Sequence, residues 1–275
     1  MAPRIESERE VPTAFLGLAT VALLFLLAPA VVTVAAAFND GNYLQFPPNG
    51  LSIRWIRQFL TSPLFLESFT FSFKLALVVT LISTALGTAA AVAMVRVGFI
   101  GRDALRALFL APIVLPGMVL GLALLAFYAT TRLGLMGSYP GLVLAHVLVT
   151  FPFVFATVSA ALARFDQSLE EAARSMGAGP VRAFWDITVR VISQGILAGG
   201  TFAFVSSFGQ FDVSLFLATS EMRPLPVALF DAIRFRTDPT IAAAGVFAIT
   251  TVIVSMVATY LIFDQGGRNK SKADG

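Results

Sequence analysis

Residues 141–163 read GLVLAHVLVTFPFVFATVSAALA, and residues 164–195 continue RFDQSLEEAARSMGAGPVRAFWDITVRVISQG. The first stretch has one ionisable side chain, His146, and is apolar on every side. At about 1.5 Å per residue, about 20 residues suffice to cross a hydrocarbon layer of about 30 Å. The second stretch is the most polar segment of the chain. Together they read as a membrane-crossing helix that delivers a long polar loop to one side.

Five further apolar runs flank this pair, at approximately Ala14–Phe38, Leu75–Val95, Ala107–Thr130, Ile196–Ala218 and Ile241–Phe263. The expectation is an all-α membrane protein with six transmembrane helices. Composition agrees: of 275 residues 57% are hydrophobic and 13% charged, with a mean hydropathy of +0.84. Soluble chains carry about 25% charge and could not cover their surface with so little. The net charge of +3 and the pI near 9.6 do not indicate nucleic acid, because the basic residues are scattered between apolar runs. With no cysteine and one histidine, thiolate chemistry and multi-histidine metal sites are excluded.

The first run follows Arg4 and Arg9 and ends in Ala35-Ala36-Ala37, which resembles a cleavage site. Secretory apolar cores span about 7 to 15 residues, so the run reads instead as an uncleaved helix. With the N-terminus inside, twelve Lys and Arg fall in inner connections and six in outer ones. That bias places both termini in the cytoplasm. The expected divisions are a cytoplasmic segment 1–13, a six-helix domain 14–263 whose inner loop is 164–195, and a cytoplasmic tail 264–275. An outer amphipathic stretch, Leu51–Leu60, is expected to place Ile53, Ile56 and Leu60 on one helical face, with Trp55 and Phe59 beside them. Pro112 and Pro116 predict a kinked or interrupted third span. Arg96, Arg102, Asp103 and Arg106 read as a solvated inner turn.

Ionisable groups in apolar spans are costly and point to function. Asp212 falls in the fifth run, and Ser207, Gln210 and Ser214 follow helical spacing around it. Such a polar stripe suits a substrate path or a hydrogen-bonded helix interface. His146 reads as a buried hydrogen-bonding residue. An intramembrane hydrolase pairing His146 with Ser138 or Ser159 lacks a nucleophile motif. A self-sufficient secondary transporter would call for inverted repeats with matched broken helices, and only the third run has such a break.

In the inner loop, Glu170 to Met176 favours helix. Gly177-Ala178-Gly179-Pro180 then stops it, and a second short amphipathic segment follows. The product is a helical hairpin on which a cytoplasmic partner can dock. The spacing Glu171-Ala172-Ala173, three residues, Gly177, nine residues, Ile187 resembles the EAA signature of permease subunits in binding-protein-dependent ABC importers. Val189 stands for the usual Leu, and Arg190 for the usual Pro. Phe38-Asn39-Asp40, Leu51–Trp55 and Phe211–Leu217 with Pro224-Leu225-Pro226 are similar to the spermidine/putrescine-type (PotC-like) group.

The resemblance implies the type I importer fold in a bacterial inner membrane. It also implies an ATPase-coupling role for Glu171, Ala172, Ala173 and Gly177, with Glu170 and Met176 adjoining. The partners it implies are a second homologous permease, two copies of a cytoplasmic ABC ATPase and a periplasmic solute-binding protein, beside membrane lipid. No cofactor is expected in this chain; ATP and magnesium belong to the ATPase. Independently, the chain has no GxxxxGK[ST] phosphate loop. Its lysines, Lys74, Lys270 and Lys272, never follow glycine. The implied solute is small and polar, polyamine-like or a related amine or amino-acid-like compound. Gly209-Gln210 stands where members of that group carry acids, which leaves zwitterionic or anionic solutes open.

Overall fold

A computed structural model describes residues 13–235 and 239–273. Among these residues the chain is helical, with a lone β-bridge between Asn39 and Leu51. Five helices are long and apolar enough to cross a membrane. A sixth apolar length is supplied by α4 (Arg102–Val114) and α5 (Gly117–Thr130), which meet at 106°. The break falls at Leu115-Pro116, because Pro116 lacks the N–H that would continue α4 and biases Leu115 to an extended backbone. The predicted interruption is therefore present, and it is a sharp corner.

The described residues form two units. The first holds α1 (Thr13–Ala37), the chain onward to Phe59 and the start of α12 (Thr240–Ala273) up to Ile249. Helix α1 is apolar around its whole circumference. The loop after it is organised by Asn39, which is fully buried. Its amide donates to the Tyr43 carbonyl at 3.0 Å, while its Oδ1 accepts from the backbone N–H groups of Gly41 and Asn49. One short side chain thus satisfies backbone groups that a turn leaves open. In α2 (Arg54–Thr61) the buried residues are Trp55 and Phe59. Trp55 donates Nε1–H to the Gly41 carbonyl, and Phe59 stacks on Phe247 at 4.5 Å. The Ile53, Ile56 and Leu60 face is turned away from this packing, since Ile53 and Leu60 are exposed. The aromatic pair removes more apolar area and includes a hydrogen-bond donor.

The second unit runs from Leu60 through α11 (Leu225–Phe235) and resumes at Thr250. Its centre is α3 (Pro63–Arg96), α6 (Tyr139–Ala163) and α9 (Arg190–Phe208). These backbones approach closely: a Cβ on Gly199 of α9 would lie 2.9 Å from the Val154 Cα of α6. Association in lipid rests on such close van der Waals packing. Phe109 of α4 docks edge-on against Phe151 and Phe155 of α6, at 5.2 and 5.3 Å.

Two expected boundaries move. The second span begins at Pro63 rather than near Leu75, because the serines that interrupt the apolar run are buried in helix contacts. Ser72 accepts from the backbone N–H of Leu225 at 2.7 Å. The fifth span is not Ile196–Ala218: a continuous 29-residue helix runs from Pro180 to Phe208. It stops at Gly209, and a short helix, α10 (Asp212–Leu217), follows. Arg190 retains the N–H that proline would lack, so the helix passes through it.

Candidate functional site

The polar loop forms the hairpin its sequence predicts. Helix α7 (Ser168–Ser175) starts where the Asp166 carboxylate accepts from the Ser168 N–H at 3.0 Å. That hydrogen bond holds the Asp166 carboxyl below its ordinary value. The helix ends in a Schellman closure: Ala178 N–H donates to the Ala173 carbonyl and Gly177 N–H to the Arg174 carbonyl. Gly177 has φ +95°, a left-handed conformation that costs an L-residue about 1–2 kcal/mol. Pro180 then opens α8 (Pro180–Ala183), and a π-helical turn, Phe184–Val189, carries the chain into α9.

Of the six residues expected to couple to an ATPase, Glu171, Ala172, Met176 and Gly177 are exposed. Leu169, Val181 and Trp185 are exposed beside them, and Met176 reaches 83% exposure. Ala173 and Glu170 lie on the opposite face of α7, Ala173 buried and Glu170 partly so. Glu170 meets Arg96, at the end of α3, in a bidentate pair. Thr188 of the π-helical turn donates to Glu170 at 2.6 Å and accepts from Arg96 at 2.8 Å. The Phe184 ring lies 5.1 Å from the Arg96 guanidinium carbon. Hydrogen bonding from Arg96, opposed by burial and assisted by Thr188, holds the Glu170 carboxyl below its ordinary value. Arg96 is thus the last residue of α3, exposed yet paired, and not a free residue of the turn. No local pattern announces a partner 74 residues away; the signal is the one arginine that ends an otherwise apolar span. The exposed Arg182–Asp186 pair, at 3.2 Å, is a surface i,i+4 contact of small worth.

A second polar cluster joins α6, α9 and α10. His146 is fully buried, with Nδ1 3.0 Å from Ser207 Oγ and Nε2 2.9 Å from Ser214 Oγ. Ser214 donates its hydroxyl to the Gln210 carbonyl at 2.7 Å. Ser214 therefore accepts from Nε2–H, leaving Nδ1 to accept from Ser207. The chain of donors runs Ser207, His146, Ser214, Gln210 carbonyl, and it closes on a carbonyl freed by the break at Gly209. This is the buried hydrogen-bonding role expected of His146.

The continuous stripe of Ser207, Gln210, Asp212 and Ser214 does not form. The helix breaks between them, Ser207 and Ser214 are buried against His146, and Gln210 and Asp212 are half-buried. Gly209 and Gln210 end the helix where hydropathy alone continues it. Asp212 lies against Gly117, the first residue of α5. The hydrolase pairing is not formed: both His146 nitrogens are taken by other serines, and Ser138 caps α6 by accepting from the Gly141 N–H. Among the described residues no three His, Asp or Glu side chains gather to hold a metal.

Residues 83–268 match the family model described as "Binding-protein-dependent transport system inner membrane component". The chain is 30% identical over 246 residues, 86% of each chain, to the putrescine transport system permease protein PotI of Escherichia coli K12. It is 37% identical over 177 residues, 62% of this chain and 65% of the other, to a probable molybdenum ABC transporter permease protein of Haloferax volcanii. A solved bacterial ABC transporter involved in alginate import contains a chain of similar fold, with TM-score 0.67 at 15% identity, covering 93% of this chain and 94% of that one. With the family model covering most of its length, the chain belongs to the binding-protein-dependent transport system inner membrane components, the non-catalytic permease subunits of ABC importers.

Proposed function

We propose that this permease forms the path for a small polar solute delivered by a periplasmic binding protein. In this reading it works with a second permease and two copies of a cytoplasmic ATPase, which bind ATP and magnesium. The hairpin 164–195 faces the cytosol and seats in the ATPase. The observation that carries this is the exposed ridge of Leu169, Met176, Val181 and Trp185 beside Glu171, on a hairpin whose other face is fastened to the bundle. Exposed apolar side chains on a rigid polar loop suit a protein groove.

A polyamine-type cation is the favoured solute, supported by similarity to a putrescine permease over 86% of the chain. Asp212 is the one carboxylate between residues 196 and 218 and suits a cation. The shorter match to a molybdenum permease favours an oxyanion as the second reading.

The test is a pull-down of tagged permease in mild detergent, comparing wild type with Glu171→Arg and Gly177→Asp. Wild type is expected to retain an ABC ATPase that both variants release or uncouple. Failure of wild type to retain one under any lipid condition overturns the coupling assignment. Uptake of labelled putrescine against labelled molybdate by cells expressing the complex decides the solute class.

A further inference from the structure

We infer that Arg96, Glu170 and Thr188 form a latch that makes the coupling hairpin and the ends of two spans one rigid body. The inference deepens the proposed coupling role by naming the residues that pass motion inward, and it rests on geometry confined to one compact unit. Three elements far apart in sequence converge on one triangle: the last residue of α3, the third residue of α7 and the fifth residue of the π-helical turn. Every edge of the triangle is a hydrogen bond. Arg96 donates from both guanidinium nitrogens to the two Glu170 oxygens, Arg96 also donates to Thr188, and Thr188 donates to Glu170. The face of Phe184 supports the guanidinium from a further side.

Several features separate this from an ordinary surface ion pair. The pairing is bidentate, which fixes orientation as well as distance. Thr188 is fully buried, and the Glu170 and Arg96 side chains are 14% and 30% exposed, so water reaches the triangle from the arginine's side only in part. The π-helical turn is also part of the device. Its extra residue rotates the helix by roughly 100° relative to an unbroken α-helix. Without it, a hydroxyl at Thr188 and a helix entering the bundle at Arg190 would not both keep their present directions.

Mechanically, α7 is joined to α6 through residues 164–167 and has two further attachments. The Schellman loop joins it to α8, and Glu170 ties its first turn to α3 and to the root of α9. A partner that displaces α7 therefore drags both spans instead of sliding along them. Arg96, Glu170 and Thr188 are positioning residues, since they act through the hairpin.

The chain has no cysteine, so spin labels placed at Ala93→Cys on α3 and Ser175→Cys on α7 report without background. In the permease alone, in nanodiscs, the latch gives a narrow label–label distance distribution. Glu170→Gln and Arg96→Met are each expected to broaden it at least twofold. Because the three groups act as one unit, the double variant should be no broader than either single variant. An unchanged width in both single variants overturns the latch, and so does additive broadening. A second arm uses the assembled complex with and without trapping by Mg-ATP and vanadate, which leaves Mg-ADP and vanadate in the ATPase. The wild-type distance is expected to stay constant on trapping, while Glu170→Gln shifts with the ATPase still bound. A wild-type distance that changes on trapping overturns rigid-body motion. If the first arm succeeds and no ATPase assembles, the latch stands and the docking reading of the preceding subsection fails.

Discussion

At residue scale, single side chains carry several of the fold's decisions. Gly177 sits at φ +95°, where a Cβ would meet no neighbour but an L-residue's backbone would be strained. Gly177→Ala is expected to destabilise the hairpin closure by about 1 kcal/mol and to loosen ATPase retention, checked by titrating the ATPase against nanodisc-held permease. His146 is different, because its two nitrogens are the only link in a donor chain from Ser207 to the Gln210 carbonyl. His146→Ala takes from the buried Ser207 hydroxyl its imidazole partner, while Ser214 keeps the Gln210 carbonyl, and should cost about 1–3 kcal/mol, read as a lowered unfolding midpoint in detergent. His146→Gln, which can both donate and accept, should recover part of that loss. Gly177 was legible in the sequence, since a glycine before Ala-Gly-Pro announces a helix end. So was the buried character of His146. Its partners were not, because Ser207 and Ser214 looked like one continuous helical stripe. The Arg96–Glu170 pair was illegible for the same reason at longer range: periodicity reports which face a residue occupies, not what faces it.

At the scale of elements, helix-breaking residues proved a better guide than hydropathy. Pro116 correctly marked the corner between α4 and α5. The second span, read as starting near Leu75 beside Lys74, belongs to a helix that begins at Pro63, because serines such as Ser72 are satisfied inside the bundle and do not end a helix there. The π-helical turn had no sequence signal, being a compromise between the hairpin's direction and that of α9. The hairpin's hold on the bundle is predicted to depend on pH through Glu170. Its carboxyl is held below the ordinary value of 4.5, so the ionised form contributes stability in full above that value. The contribution is lost as pH falls through the lower, folded-state value. The 93–175 label distribution should therefore broaden on acidification from about pH 6 to about pH 3. In Glu170→Gln the width should be independent of pH across that range, and a wild-type width that ignores pH would count against the latch.

For the whole molecule, the class of protein was legible from composition and six apolar runs, since membrane solvent imposes so strong a constraint on sequence. The division into two packed units was not, because apolar surface that meets lipid or protein reads alike in one dimension. The charge bias predicts sidedness: Ser175→Cys should react with an impermeant maleimide only from the cytoplasmic side, and Ser220→Cys only from outside. Reversed labelling would invert the topology. The unbroken helix from Pro180 to Phe208 has one more consequence. Its 29 residues make a rod about 44 Å long, rooted in the hairpin at one end and packed at the other, where Ser207 and Phe208 are buried before the helix stops at Gly209. A tilt of about 5° at the root sweeps the far tip by about 4 Å, roughly the width of a water molecule and more. A tilt at the hairpin therefore has its short stroke there and its long stroke at the His146 cluster, which it displaces through the Ser207–His146 hydrogen bond.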